Sequence, residues 1–278
     1  MSRNGLSSRH SSTRRFQVES LEDRRLLAAQ PAVALSAPAQ VMIGEDFQIT
    51  ATFDNADATD PGFGPFVDLY IPVNGSDGVA GSGVDGIAFS GANYLGASIA
   101  TTLLTFPDDG GGFGSVVHPY AVDATGTPLT VLGAAGDQLA VLQLPFGSFT
   151  AEQPPADIVI DMHLSNLADL GQPLNLRARA GFEFGNDALA NPSVDPSLVS
   201  AGTSASGWTV AAPVEPTLIQ LRKIYSGPED ETATGPNFPR QYTIEIDVAD
   251  GQTVTNLDVV DLLPNNLEAI SIDSILPS

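Results

Sequence analysis

Phe47, Ile49, Ala51 and Phe53 alternate with Gln48, Thr50 and Thr52. A period of two sets the apolar side chains on one face of a strand and the polar ones on the other, which a helix cannot do. The pattern recurs where Leu174, Leu176, Ala178, Ala180, Phe182 and Phe184 face away from Asn175, Arg177, Arg179 and Glu183. It recurs again where Tyr242, Ile244, Ile246 and Val248 alternate with Thr243, Glu245 and Asp247. Further strands are predicted over 66–73, 94–106, 115–122, 138–144, 158–164 and 208–211. The 27 glycines and 21 prolines punctuate these runs, and a charged fraction of 16% leaves little to solvate long helices. The expectation is an all-β chain with no helix longer than about three turns. Strands with one wet face pack as paired sheets, so β-sandwich modules follow.

Charge narrows the partners. The net charge of -22 lacks the clustered cations that phosphate binding needs, so nucleic acid is excluded as a partner. The charge is uneven: Arg3, Arg9, Arg14, Arg15, Arg24 and Arg25 against Glu19, Glu22 and Asp23 make residues 1–30 +3, and the rest is -25. Cysteine is absent, so disulfide staples and thiol chemistry are excluded. No apolar run reaches the roughly 18 residues of a spanning helix.

At the head, Arg14 to Ala29 reads RRFQVESLEDRRLLAA, a basic region meeting a short apolar one that Pro31 interrupts. Pattern alone admits a weak secretory signal, a disordered basic tail, or a transit peptide whose acid-poor character Glu19, Glu22 and Asp23 contradict. The block Leu21-Glu-Asp-Arg-Arg-Leu-Leu-Ala28, preceded by Phe16 and Glu19, resembles the planctomycete extracellular signal domain that opens very large exported proteins. That resemblance covers under a tenth of the chain and implies export. Residues 1–30 are therefore expected to lack a packed place in the fold.

The body divides into an enlarged sandwich over 31–213 and the start of a second over 214–278. Pro213-Val-Glu-Pro216 is expected to act as a stiff linker after the loop-like stretch 191–207. Val259-Val-Asp-Leu-Leu-Pro264 echoes Val67-Asp-Leu-Tyr-Ile-Pro72, a weak internal repeat in which proline removes a ladder donor and ends a strand. These blocks, with Gly44 to Asn55 and Thr255 to Pro264, resemble the conserved-repeat domain of large bacterial cell-surface proteins. The resemblance covers about 44–75 and 217–272, leaves 76–213 without a family motif, and implies tandem immunoglobulin-like sandwiches with a structural or adhesive role. Such a sandwich needs about seven strands in roughly 100 residues. Residues 217–278 are too few, so the sequence is expected to be a fragment.

No chemistry is legible in the motifs. Gly81-Ser-Gly83-Val-Asp-Gly86 matches the dinucleotide fingerprint but lacks its leading strand and following helix, so a loop is expected. No serine stands in a nucleophile elbow. His10, His118 and His163 stand outside any zinc frame and read as solvated surface histidines, His163 on the polar side of its strand. No carboxylate pair can be chosen among 33 acids. The catalytic and cofactor assignments are therefore none.

Calcium is the one ligand that the turns suggest, because hard cations want oxygen. Asp54, Asp57 and Asp60 are the candidate ligands, with Asn74-Gly-Ser-Asp77-Gly78 and Pro107-Asp-Asp109 as further loops. None has the D-x-[DN]-x-[DN]-G order, so solvated turns are the default. Lys223, the only lysine, stands on the first strand of the second unit. The resemblance brings in fimbrial relatives that link such a lysine to an asparagine, but a lone surface lysine is expected. Three roles follow: a non-enzymatic structural or adhesive protein of the bacterial surface, the non-catalytic leading region of a longer secreted enzyme, or a calcium-stabilised ligand-binding module. Other surface proteins or extracellular polymers are the expected partners.

Overall fold

The computed structural model describes residues 29–57, 59–76, 84–123, 125–186, 197–200, 207–225, 241–265 and 268–276. The expected export segment 1–30 lies almost wholly outside them. In chain order the strands are β1 (Pro31–Ser36), β2 (Gln40–Met42), β3 (Asp46–Asn55), β4 (Gly62–Phe63), β5 (Pro65–Ile71), β6 (Ile87–Tyr94), β7 (Ala97–Ser98), β8 (Ala100–Thr105) and β9 (Phe113–Val122). They continue with β10 (Pro128–Ala134), β11 (Gln138–Gln143), β12 (Ser148–Phe149), β13 (Ala156–Leu164), β14 (Leu174–Phe182), β15 (Leu198–Val199), β16 (Val210–Thr217), β17 (Ile219–Tyr225) and β18 (Tyr242–Val248). The described residues are all-β, as the alternation requires.

Two sheets face each other. One runs β1-β3-β13-β6-β7 and the other β2-β16-β14-β5-β11-β8, with β15 on β14. All their pairings are antiparallel except β2 with β16. Ile49, Ala51 and Phe53 of β3 and Ile158, Ile160 and Met162 of β13 meet Val67, Leu69, Ile71, Ala178 and Ala180 in one core. Phe53 packs edge-on against Phe149 and Phe182 at centroid distances of 5.2 and 5.5 Å. On the wet face of β3, Thr52 donates to Asp157 (2.6 Å) and Gln48 to Asp161 (2.8 Å), each directly across the ladder. Such cross-strand pairs hold the register that the core face demands.

The second sheet has no wet face along β5. All seven of its residues are buried, because hairpin β9–β10 lies over the side turned away from the main core. Phe66, Tyr70, Leu139 and Val141 point into this second layer with Phe106, Ala121, Val131 and Trp208. The apolar runs of β5, broken only by Asp68, and of β11 are the sequence trace of burial on both faces.

Three expectations change. The span 94–106 is not one strand, because Leu95 (φ 50°) and Gly96 (φ 80°) turn the chain between β6 and β7. Pro213-Val-Glu-Pro216 lies inside β16, where Ala212 and Val214 are buried, so the first sandwich runs through Thr217 and the stretch is not a linker. Proline is accommodated there because the neighbouring Glu215 N–H supplies the donor, to the Ala39 carbonyl. Val259 to Pro264 forms no strand. Val260 and Leu262 are exposed, and no ladder partner stands beside them among the described residues, so the echo of Val67 to Pro72 is not structural. Among the described residues strands β17 and β18 pair only with each other, in the register Ile219↔Val248 to Tyr225↔Tyr242.

Candidate functional site

The most chemically loaded place in the molecule lies between β5, β9 and β14. Asp68 sits mid-strand in β5 and is wholly buried. Its Oδ1 is 2.8 Å from His118 Nε2 and its Oδ2 accepts from Arg179 Nε at 2.7 Å. His118 Nδ1 accepts the backbone N–H groups of Tyr120 (3.1 Å) and Ala121 (2.7 Å), so the ring proton resides on Nε2 and is donated to Asp68. The Arg179 guanidinium stacks over Trp208 at 5.2 Å, and Arg177 lies 5.1 Å from the centroid of Tyr70. His118 is therefore not a solvated surface residue. It is 2% exposed, turned inward by its position on the sheet-facing side of β9.

A His–Asp couple at 2.8 Å invites a catalytic reading, and its bonding refuses it. Both ring nitrogens are occupied inside the fold and both side chains are inaccessible, so no proton can be exchanged with a substrate. The couple fastens hairpin β9–β10 to the second sheet. Further along the same layer, the Tyr70 hydroxyl donates to Asp137 Oδ2 while the Asn74 N–H donates to Asp137 Oδ1 at 3.0 Å. Burial pushes the Asp137 carboxyl and the Tyr70 hydroxyl above their usual ranges. Gly136 passes so close to Asn74 that a Cβ there would overlap its amide.

The calcium candidates are organised by a residue that the sequence did not single out, Asn55. Its Oδ1 accepts the N–H groups of Gln30 (2.9 Å) and Asp57 (3.2 Å), and its Nδ2 donates to the carbonyls of Asp60 (2.8 Å) and Phe149 (3.2 Å). Asp57 Oδ1 accepts from the backbone of Asp60 (2.8 Å) and from the backbone and hydroxyl of Thr59 (2.8 and 3.2 Å). These donors, the Asp60 N–H foremost, hold the Asp57 carboxyl below its usual value. Asp54 accepts the Asn55 N–H at 2.8 Å. The loop thus closes on its own donors. Among the described residues no three acids or histidines converge as a metal site, Asp54, Asp57 and Asp60 included.

The other candidates are likewise engaged. Asp108 accepts the Gly110 N–H (3.0 Å), and Asp109 Oδ2 accepts the Ser115 N–H (3.0 Å) and hydroxyl (3.4 Å). Asp77 and residues 81–83 of the glycine motif lie outside the described residues. His163 is half-exposed and bonds Asp46 at 2.7 Å beside an open cleft of about 390 Å³ that Ser165, Asn166 and Asp250 also line. Lys223 is not alone: it bonds both carboxylate oxygens of Asp261 at 2.8 Å and lies 4.7 Å from the Tyr242 ring centroid.

The described body is thus an all-β sandwich whose buried polar groups serve its own packing. No family model matches the chain. No curated protein matches it either. Among solved structures it is similar to AvmM, which catalyses macrocyclization in alchivemycin A biosynthesis, at 10% identity and a TM-score of 0.37, over 73% of this chain and 92% of that one. It is similar to the sixth cohesin of Acetivibrio cellulolyticus scaffoldin B (9%, TM-score 0.33, 68% and 99%). It is also similar to a C-terminal fragment of the major pilin GBS80 of Streptococcus agalactiae (12%, TM-score 0.34, 74% and 60%). At these TM-scores none of the three bears on function.

Proposed function

We propose that this chain is a non-catalytic structural or adhesive module of a bacterial cell-surface protein, exported by its N-terminal segment. The observation that carries this reading is the state of its one His–Asp couple in the buried layer. His118 on the hairpin and Asp68 on the strand beneath it are sealed between the two layers with both ring nitrogens bonded internally, which suits a rigid display scaffold and not a turnover site. The export step rests on the resemblance of Leu21 to Ala28 to a planctomycete signal. Partners under this reading are other surface proteins or extracellular polymers.

The test is cell fractionation with surface shaving in a planctomycete host. An antibody raised against residues 29–225 is expected to label intact cells, and externally added protease is expected to remove the label. Label that appears only after lysis would overturn the proposal.

A further inference from the structure

The hairpin that covers the second sheet has a wet outer side, and that side is mostly apolar. The pairing Ala134↔Phe113, Leu132↔Ser115 and Thr130↔Val117 puts these six side chains on one face, opposite Val116 and Val131, which pack inward. Phe113, Val117 and Leu132 are 57%, 63% and 64% exposed, and Pro119 continues the stripe along β9. Contiguous wet apolar surface marks a contact site more often than an accident of folding.

The charges around the stripe specify what covers it. Asp109, bonded to Ser115, and Asp108 lie near the Phe113 end, and Asp123 lies just past Val122 at the other. The Thr125 hydroxyl and the backbone N–H groups of Thr127 and Thr125 hold the Asp123 carboxyl below its usual value, so that end stays anionic. No lysine or arginine occurs anywhere between Arg25 and Arg177. Arg179 is tied to Asp68 under the hairpin and Arg177 faces Tyr70 in the same layer. Among the described residues the patch thus has an apolar centre and an anionic rim with no cation shown beside it, which repels another copy of this acidic chain and attracts a basic one. Among the described residues strand β10 pairs with β9 alone, so its other edge can accept an extended segment.

We infer that the outer face of hairpin β9–β10 is a docking surface for an extended partner segment, apolar at its centre and carrying lysine or arginine at both ends. Leu132, Val117 and Phe113 would bury the centre, and Asp109 and Asp123 would meet the basic ends. This deepens the reading of the chain as an adhesive module, and the two are separable: loss of binding leaves cell-surface labelling unchanged, and a cytoplasmic location leaves binding unchanged.

The probe is an extended synthetic peptide with a Val-Thr-Val-Tyr-Val centre and two lysines at each end, titrated calorimetrically into the full chain. A matched peptide with glutamates in place of the lysines serves as control. Saturable binding of the lysine peptide is expected, weakened at least tenfold by Leu132→Ser combined with Val117→Ser, and absent for the glutamate peptide. Both substituted side chains point into solvent, and an unchanged melting midpoint verifies that the variant is folded. Equal binding by wild type and variant would reduce the effect to general attraction by an acidic chain and overturn the inference. Absence of saturable binding, or equal binding of the two peptides, overturns it as well.

Discussion

Asp68→Asn is the sharpest perturbation of this fold. The change is isosteric, so it opens no cavity, but a single amide oxygen must replace two carboxylate oxygens that face His118 Nε2–H and Arg179 Nε–H. The Arg179 guanidinium, 11% exposed, is then left without its counter-charge. Removing one partner of a buried ion pair costs about 3–5 kcal/mol, most of it the penalty on the charge left behind. Arg179→Met should therefore rescue part of the loss. In the double variant the amide oxygen introduced at position 68 still serves His118 while the orphaned cation is gone, so a coupling of about 2 kcal/mol or more is expected between the two changes.

The assay is urea unfolding followed by the emission of Trp208, the only tryptophan, which stacks on Arg179 and lies 5.7 Å from Tyr70 within the same layer. With a urea slope of ~2 kcal/mol/M, a loss of about 4 kcal/mol moves the midpoint down by about 2 M. Asp157→Asn, on the exposed Thr52 pair, is the control and should shift stability by no more than ~0.5 kcal/mol. If Asp68→Asn costs less than ~1 kcal/mol, or if the two changes at 68 and 179 add within ~0.5 kcal/mol, the network does not fasten the hairpin as described.

Three further outcomes are expected. Gly181→Ala and Gly62→Ala each place a Cβ within 2.1 and 2.3 Å of the buried Phe66 and Phe182 rings and should cost about 1–3 kcal/mol, whereas Gly147→Ala meets open space and should be neutral in the same urea series. Asp57→Asn should lower the thermal midpoint near pH 6 and lose that effect as pH falls. The folded Asp57 carboxyl lies below the ordinary 3.8, so its stabilisation is complete above that value and vanishes as pH drops through the lower folded one; a pH-independent difference refutes the assignment. In thermal melts, sodium chloride at matched ionic strength should reproduce any stabilisation by calcium, since a body at -25 gains from screening alone. A rise specific to calcium at micromolar concentration would establish a site, with Asp54, Asp57 and Asp60 the first to replace.

Much of the fold was readable because the period of two is a one-dimensional record of one buried face. β3 and β18 fall where Phe47 to Phe53 and Tyr242 to Val248 alternate, and β14 covers nearly all of the run from Leu174 to Phe184. The second layer was harder to read, since hairpin β9–β10 converts the outer side of β5 and β11 from a wet face to a dry one. Periodicity cannot register that conversion: a strand dry on both faces loses its alternation and reads merely as a short apolar run. The break at Leu95 and Gly96 was hidden for a related reason. Apolar residues continue on both sides of the turn, and Leu95 takes a left-handed backbone that its residue type does not advertise.

The candidate site was the least legible part, because its members are drawn together only by long-range pairing. Asp68 and His118 are 50 positions apart, and Asp68 and Arg179 are 111 apart. One local signal existed: an aspartate interrupting Phe66-Val-Asp-Leu-Tyr-Ile71 is a charge inside a run that must be buried. A buried carboxylate needs a cation or strong donors within bonding distance. In a body this short of cations, Arg177 and Arg179 on β14 were the nearest complement that a sandwich could bring to β5. The arginine-bearing face of β14, which alternation alone assigns to solvent, is thus committed to the fold by the charge on its neighbour, and the outward hairpin face is left with no cation of its own.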